Sequence, residues 1–387
     1  MKKAELNIAI IGAGIGGLTA AITLLQRGFK VQIYERSEEL KESNAAITLF
    51  PNALRVLHHF GMSEEVYSMG KEVGQFTLAT SKNNVLRTLD FAEEEFHPVT
   101  IMREHLYSIL LKRLPEGIVN YGYTLRDYEI FDDMVSIVFT NEKQIKSDLL
   151  IGADGFSSKV RGLMLRDDDP VYQGYQVWRG VIDSPFPDIL EKGTMQFWGR
   201  GKRFGFMPLE DNKIAWWAAS KESIHRINHM NADRKKKVYK YFRNWSYPVP
   251  ELIKATDDHL IIKAGCYARI PAKVWSEELV TLLGEAAHSI SPNLGLGVSL
   301  AIEDAAIIAR CLDKYHTIED ALLYYEDARI NRTQTITQDV LEIVRKGHLK
   351  KSFAIRIRNL ILKYTPQSKV DKKLGEIFDY NALKVKI

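Results

Sequence analysis

The chain has 387 residues, a length that suits roughly two to three domain-sized units. Hydrophobic residues make up 45% and charged residues 26%, a balance that excludes a disordered or fibrous chain. The net charge of +4 is unevenly placed: residues 344–373 hold ten Lys/Arg and one Asp, leaving the rest of the chain net acidic, which excludes a nucleic-acid surface over the body of the protein.

In chain order, residues 8–25 form an uncharged, mostly apolar run behind two lysines, superficially like a secretion signal or membrane anchor. Gly12, Gly14, Gly16 and Gly17 within it suit neither, and no small-residue cleavage site follows. No other segment reaches the ~20 apolar residues of a membrane span. The run divides instead into a buried strand at 8–11 and a helix at 16–27 with Leu18, Ile22 and Leu25 on one side, stopped by Gly28. A second strand over 31–35 completes a βαβ start, in which the helix is the crossover between parallel strands.

A Pro-Asn step and a helical pattern (Ala53, Leu54, Leu57, Phe60) occupy 44–61, and alternating segments over about 76–98 predict strands. Residues 103–114 predict a helix, and 121–150 a run of short strands ending in an apolar stretch. Residues 166–275 hold all six tryptophans among Gly/Pro turns and strand-like segments. They predict a mostly antiparallel layer suited to walling an apolar pocket. A strand at 279–283 leads through a Gly/Pro-rich loop into a long helix from about Val298, and helices continue to the end.

Phe353, Ile357, Leu360 and Tyr364 fall on one face of a helix in the basic tail. That face is expected to pack across the two domains with the basic residues in water; weak docking on anionic membrane lipids is the alternative. Cys266 and Cys311 are the only cysteines and form no CxxC pair, and no metal-ligand spacing appears. A metal site is not expected, and the cysteine usage fits a reducing, cytoplasmic setting.

Three segments carry chemistry. In Gly12-Ala-Gly14-Ile-Gly-Gly17, the glycines permit a tight turn, close approach of a pyrophosphate to backbone N–H groups, and close helix–strand packing. The helix N-terminus adds a favourable field for phosphate. Glu35, at the end of the next strand, is placed to accept hydrogen bonds from an adenosine ribose. This pattern predicts dinucleotide binding without separating FAD from NAD. The second segment is an apolar strand ending in Asp154-Gly155, then a helix opening with Ser157 and Ser158; Asp154 is suited to organising a cofactor, and Ser157 to capping the helix. The third runs from Gly284-Glu285 through His288 and Pro292 to Gly295-Leu296-Gly297, a glycine loop at a helix N-terminus. His288 is read as organising this loop, with general-base work as the alternative.

These motifs, with the segment 46–53 (Ala-Ile-Thr-Leu-Phe-Pro-Asn-Ala) and Arg103 before a leucine-rich helix, occur in an order and spacing that resembles the class A flavoprotein monooxygenases. That family includes p-hydroxybenzoate and salicylate hydroxylases and zeaxanthin epoxidase, and the resemblance covers residues 5–330. It implies an α/β fold: a Rossmann-like FAD-binding domain (1–75, 98–165, 276–345), a mostly antiparallel substrate domain (76–97, 166–275) and a helical C-terminal segment (346–387). It also implies a monooxygenase in which NAD(P)H reduces bound FAD and a flavin C4a-hydroperoxide delivers one atom of molecular oxygen. The substrate would be an aromatic, polycyclic or isoprenoid small molecule, hydroxylated or epoxidised. A flavin dehydrogenase or reductase without oxygen insertion is the alternative, and a non-enzymatic flavoprotein a more distant one.

By the same resemblance, Gly12, Gly14 and Gly17 would meet the pyrophosphate, Glu35 the ribose, Arg36 and Arg103 phosphate or ribose, and Leu125 the adenine. Thr48 would lie near the flavin, Asp154 would organise FAD and the NAD(P)H approach, and Glu285 would hold the ribityl chain. Gly295, Leu296, Gly297, Val298 and Ser299 would border the ring system. Two positions depart from the family, which mostly has Asp at Glu285 and Gln at Leu296. Few side chains need act as acid or base, so no catalytic residue is assigned. Trp178, Arg203, Phe206, Trp217 and Pro292 are candidate substrate contacts, with a core role for the tryptophans and a surface role for Arg203 as alternatives.

Overall fold

The computed structural model describes residues 5–39, 45–91, 94–167, 169–223, 233–290 and 295–387. A six-stranded sheet forms around the first motif. Its spatial order is Ser276–Glu277, Val280–Leu282, Leu149–Gly152, Asn7–Ile11, Lys30–Glu35, Val119–Tyr121. All neighbours run parallel except the antiparallel first pair. The helix Ile15–Leu25 crosses from the first strand to its neighbour, and almost all of it is buried. A Cβ on Gly16 would come within 2.8 Å of Leu283 and 3.3 Å of Ala301. Glycine there lets this helix lie against the long helix Leu296–Lys314, to which Thr23 Oγ1 donates a 2.9 Å hydrogen bond at Ala305 O. Gly28 ends the turn with φ +87°, as expected for a left-handed stop.

A second, seven-stranded sheet has the order Ile262–Ala268, Val171–Asp183, Lys213–Lys221, Lys202–Pro208, Thr194–Trp198, Gln75–Thr80, Val85–Asp90. It is mixed rather than purely antiparallel. Thr194–Trp198 runs parallel to Gln75–Thr80, because the chain reaches that strand by a long excursion rather than a hairpin. The remaining neighbours are antiparallel. Its side chains sort by parity. Trp178, Phe197, Phe204, Phe206 and Trp216 point to one face and pack with Val238, Phe242, Leu252 and Ile253 of the helices Arg234–Phe242 and Val249–Ala255. Tyr175, Val177, Trp217 and Ala219 point to the other and join Leu296, Leu300, Ile336, Val340 and Phe378 between the two sheets.

The C-terminal helices Ser352–Tyr364 and Gln367–Phe378 follow the 30-residue helix Ile318–Gly347. The face of Phe353, Ile357, Leu360 and Tyr364 does not pack across the domains, contrary to the expectation above; all four side chains are exposed. The opposite face took the packing role. Arg358 is buried with its guanidinium 5.2 Å from the Trp198 ring, and Leu362 joins the cluster of Leu78, Leu86 and Trp198.

Buried charges tie the long helices to the Gly284–His288 segment and to Asn52. Asp304 Oδ2 accepts hydrogen bonds from Gly284 N (3.0 Å) and pairs with His288 Nε2 (2.5 Å), while Oδ1 accepts from Arg329 Nε (2.6 Å). Glu303 pairs with Arg329 (2.7 Å) and Arg332 (2.8 Å) and accepts from Asn52 Nδ2 (2.6 Å). Burial opposes ionisation of Asp304, but His288 and Arg329 outweigh it and hold its carboxyl below the usual range. Replacing one partner would strand a buried charge, which costs about 3–5 kcal/mol. Arg329→Met is therefore expected to lower the urea midpoint by a corresponding amount; an unchanged midpoint would contradict a structural role for the cluster.

Candidate functional site

The glycine turn leaves the strand Asn7–Ile11 with Gly12 at φ +105°. A Cβ there would meet Ala153 O at 2.5 Å, and one on Gly17 would meet Gly12 O at 2.0 Å. These two glycines let strand, turn and helix close on one another. Gly14 differs: its φ is −69°, and a Cβ would find only Ala153 O, at 3.9 Å. No close contact in the protein requires glycine at that position, which leaves its side open to a ligand phosphate. The helix that starts there has no side-chain cap and no acidic residue in its first turn, leaving N–H groups available to an anion.

Glu35 sits beside this turn. Its Oε2 accepts from Ala13 N and its Oε1 from Ser37 N, both at 2.9 Å. A carboxylate has about four acceptor positions, so capacity remains for the two hydroxyls of a ribose. Arg36 is exposed just beyond, and Leu125 is buried at the start of the strand Leu125–Phe131, where it pairs with Phe139. Arg103 begins the helix Arg103–Leu111; its Nη2 donates to Tyr107 Oη at 3.1 Å. Its Nε is buried with no hydrogen-bond partner among the described residues, a donor that an anion could satisfy.

Asp154 lies against the glycine turn, since a Cβ on Gly12 would also reach its Cα at 2.9 Å. Its carboxylate accepts from Ser158 Oγ (2.5 Å), Lys159 N (2.6 Å) and Val160 N (3.1 Å). Burial pushes the carboxyl above the ordinary range, while those hydrogen bonds pull the other way. The helix Lys159–Leu165 is capped by Ser158, whose Oγ accepts from Arg161 N; Ser157 is exposed and is not the cap. Arg161 is buried and donates to the carbonyls of Ala286, Ala287 and Ile270, joining the Asp154 segment to the Gly284 turn.

The second glycine loop closes on the same region. Gly295, at φ +71°, is the N-cap of Leu296–Lys314, again with no side-chain cap and no acid in the first turn. A Cβ on Gly295 would lie 3.8 Å from Thr48 and 3.9 Å from Phe50, and one on Gly297 would lie 3.8 Å from Glu285 Oε1. Glu285 is exposed on a 3-10 turn, so its extra methylene carries the carboxylate toward the helix N-terminus rather than into the core. Leu296 is buried in the apolar cluster between the sheets, which accounts for an apolar residue at that position. Val298 is half-buried, and Ser299 is fully buried with its Oγ accepting from Phe50 N at 3.4 Å. His288 is buried on Asp304 and against Trp275, in keeping with loop organisation. Pro292 lies outside the described residues.

Of the candidate substrate contacts, Arg203 and Trp217 lie on the sheet face that looks toward this loop. Arg203 is fully buried between two indoles, 5.0 Å from Trp217 and 5.7 Å from Trp198, and is not a surface residue. Burial pushes its pKa down to about 10, so it stays protonated at neutral pH. Trp178 and Phe206 were expected in the pocket but occupy the opposite face, in the core against Val238, Phe242 and Leu252. Three aromatic groups not singled out from sequence belong with Trp217. Tyr175 stacks on His348 with centroids 4.8 Å apart, and Phe378 stacks on Phe50 at 4.9 Å. Burial drives His348 down to about 3, so it is neutral.

Two uncapped helix N-termini, an open glycine, a carboxylate with spare acceptor sites and an arginine with a buried unpartnered Nε fit a flavin dinucleotide. Gly14→Val meets no steric obstacle in the fold, with a stability loss of about 1 kcal/mol from the poorer N-cap. It is expected to weaken FAD binding by about tenfold or more, because the side chain fills the pyrophosphate space. Fluorescence titration of the deflavinated variant, with its melting curve, checks both; undiminished affinity would contradict this placement.

Known proteins agree with that geometry. The family model described as FAD binding domain matches residues 5–340. Aurachin C monooxygenase/isomerase of Stigmatella aurantiaca is 28% identical over 385 residues, covering 98% of this chain and 100% of that protein. The chloroplastic zeaxanthin epoxidase of Spinacia oleracea is 32% identical over 328 residues, covering 81% of this chain and 48% of that longer protein. A variant of HpxO from Klebsiella pneumoniae, solved with FAD, superposes with a TM-score of 0.88 at 25% identity, covering 96% of this chain and 98% of that one. With a match across most of its length and the glycine turns, acids and helix ends in place, this chain belongs to the FAD-binding-domain family and is an FAD-dependent monooxygenase of class A.

Proposed function

We propose that the enzyme hydroxylates or epoxidises an electron-rich aromatic, polycyclic or isoprenoid small molecule held between the glycine loop and the seven-stranded sheet. The observation that carries this reading is the apolar cluster joining Leu296 and Phe50 of the flavin side to Val177, Tyr175 and Trp217 of the sheet, with the buried cation Arg203 beside it. Such a site offers stacking surfaces and one strong hydrogen-bond donor, the composition expected of a small-molecule pocket. FAD, reduced by NAD(P)H, supplies the activation of molecular oxygen that no side chain can.

The chain's own residues bind, orient and exclude water. Backbone N–H groups at Gly14 and Gly295 would hold the dinucleotide, Glu35 its ribose, and Glu285 the ribityl chain. Trp217 would give the substrate a flat apolar wall, and Arg203 would hold a phenolate or carbonyl oxygen, its charge strengthened by the dry surroundings. Phe378 would close the pocket over Phe50, placing a C-terminal residue in substrate selection. The domain division expected from sequence suits this arrangement: a cofactor unit (1–75, 98–165, 276–345), a substrate unit (76–97, 166–275) and the tail 346–387. A reducing cytoplasmic setting suits the two buried thiols. Among the described residues no helix is long and apolar enough to cross a membrane.

The direct test is oxidation of NADH and NADPH by the aerobic holoenzyme, with phenols, fused-ring heteroaromatics and isoprenoids added in turn, recording product mass and peroxide together. One compound is expected to accelerate oxidation and gain a single oxygen atom. Substrate conversion that proceeds without oxygen would instead indicate a dehydrogenase. For an acidic or carbonyl-bearing substrate, Arg203→Leu is expected to raise KM by about tenfold or more, the scale of a lost charged hydrogen bond. An unaltered KM would remove Arg203 from the site.

A further inference from the structure

We infer that the helix Ser352–Tyr364 is a docking surface for an anionic lipid bilayer. Its orientation on the protein is fixed from one side only. On the inner face, Arg358 is buried against Trp198 and its Nη1 donates to Lys346 O at 3.0 Å. Leu362 packs beside Leu78 and Leu86, and Arg87 Nη2 donates to the carbonyls of Leu362 and Thr365, each at 2.6 Å. With that face anchored to the seven-stranded sheet, the other is directed outward.

The outward face is apolar. Phe353 is 76% exposed and Tyr364 69%, with Ile357, Leu360 and Ile361 exposed between them. Their spacing makes one continuous ridge along the helix with an aromatic residue at each end. Scattered apolar residues on a surface need no explanation, but a contiguous ridge marks an interaction site.

The surrounding charge selects the partner. No acidic residue occurs between Glu342 and Asp371. Over that interval Arg345, Lys346, Lys350, Lys351, Arg356, Lys363 and Lys369 are all exposed, and only Lys346 is held in an ion pair among the described residues, with Glu342. An apolar ridge rimmed by lysine and arginine, terminated by aromatics, matches the boundary between acyl chains and anionic headgroups. A helix of 13 residues is about 20 Å long, too short to span a bilayer, so it lies in the interface rather than across it. Docking stands independently of the substrate proposed above.

The test uses the intact FAD-loaded protein and vesicle flotation, with phosphatidylcholine vesicles with and without phosphatidylglycerol, at low and high salt. The protein is expected to float with phosphatidylglycerol vesicles at low salt and to be released by salt. The triple variant Phe353→Ser, Ile357→Ser, Leu360→Ser and the charge variant Lys351→Glu, Arg356→Glu, Lys363→Glu are each expected to lose more than about tenfold in partitioning. Their melting temperature and flavin spectrum should stay the same, since these side chains point to solvent. No flotation of the parent protein, or flotation indifferent to both variants, overturns the proposal. So does sedimentation velocity showing a dimer that the serine variant alone dissociates, which would assign the ridge to a second copy of the chain.

Discussion

Four segments meet at one buried set of charges, and the geometry of the cofactor side follows from it. Asp304 and Glu303 are neighbours on the helix that begins at the glycine loop, and both are fully buried. Asp304 holds the Gly284 turn through its amide and His288 through its ring, Glu303 holds Asn52 just past Phe50, and Arg329 joins the two acids from the next helix. Burying this much charge is costly unless every group is matched. With both carboxylates paired to cations, it gives the arrangement one register. The turn at Gly284, the helix start at Gly295 and the corner at Thr48–Phe50 cannot shift separately, as the cofactor placement proposed above requires.

The division of labour in the seven-stranded sheet follows from strand parity. One face is a conventional core against two helices; the other is half-aromatic and looks toward the glycine loop. Arg203 is the one charged side chain placed between two indoles on that second face, and its desolvation makes it a strong but unforgiving donor. In the site proposed above, a substrate that offers an oxygen to it would gain a charge-assisted hydrogen bond.

Much of the cofactor side was legible in the sequence because its signals are local. The glycine turn, Glu35, the Asp154 corner and the Gly295 loop each state a backbone requirement within a few residues; the structure brings the first three together and sets Gly295 against Thr48 and Phe50. The substrate side was less so. Alternation tells which residues of a strand share a face, but not which face meets the cofactor; Trp216 and Trp217 are adjacent, and only the packing helices decide between them. That is why Trp178 and Phe206 lie on the face against the helices while Trp217 lies on the other. His348, Tyr175 and Phe378 are brought together from distant segments and left no local mark. In the tail, Arg358 took the buried position over the apolar ridge because Trp198 offered a cation a flat partner. The charge cluster does leave a local trace: Glu303-Asp304 interrupts an apolar helical run, where a solvated face would not be expected.

The chemistry assigned to this fold has one signature that binding alone cannot imitate, the fate of the oxygen atoms. Turnover of the first accepted substrate under isotopically labelled molecular oxygen in ordinary water measures it directly. One labelled atom in each product molecule, with the other released as water and one NAD(P)H consumed, is the predicted result. An oxygenated product that carries unlabelled oxygen from water, or a product formed with no oxygen gained, would contradict a monooxygenase reaction at this site.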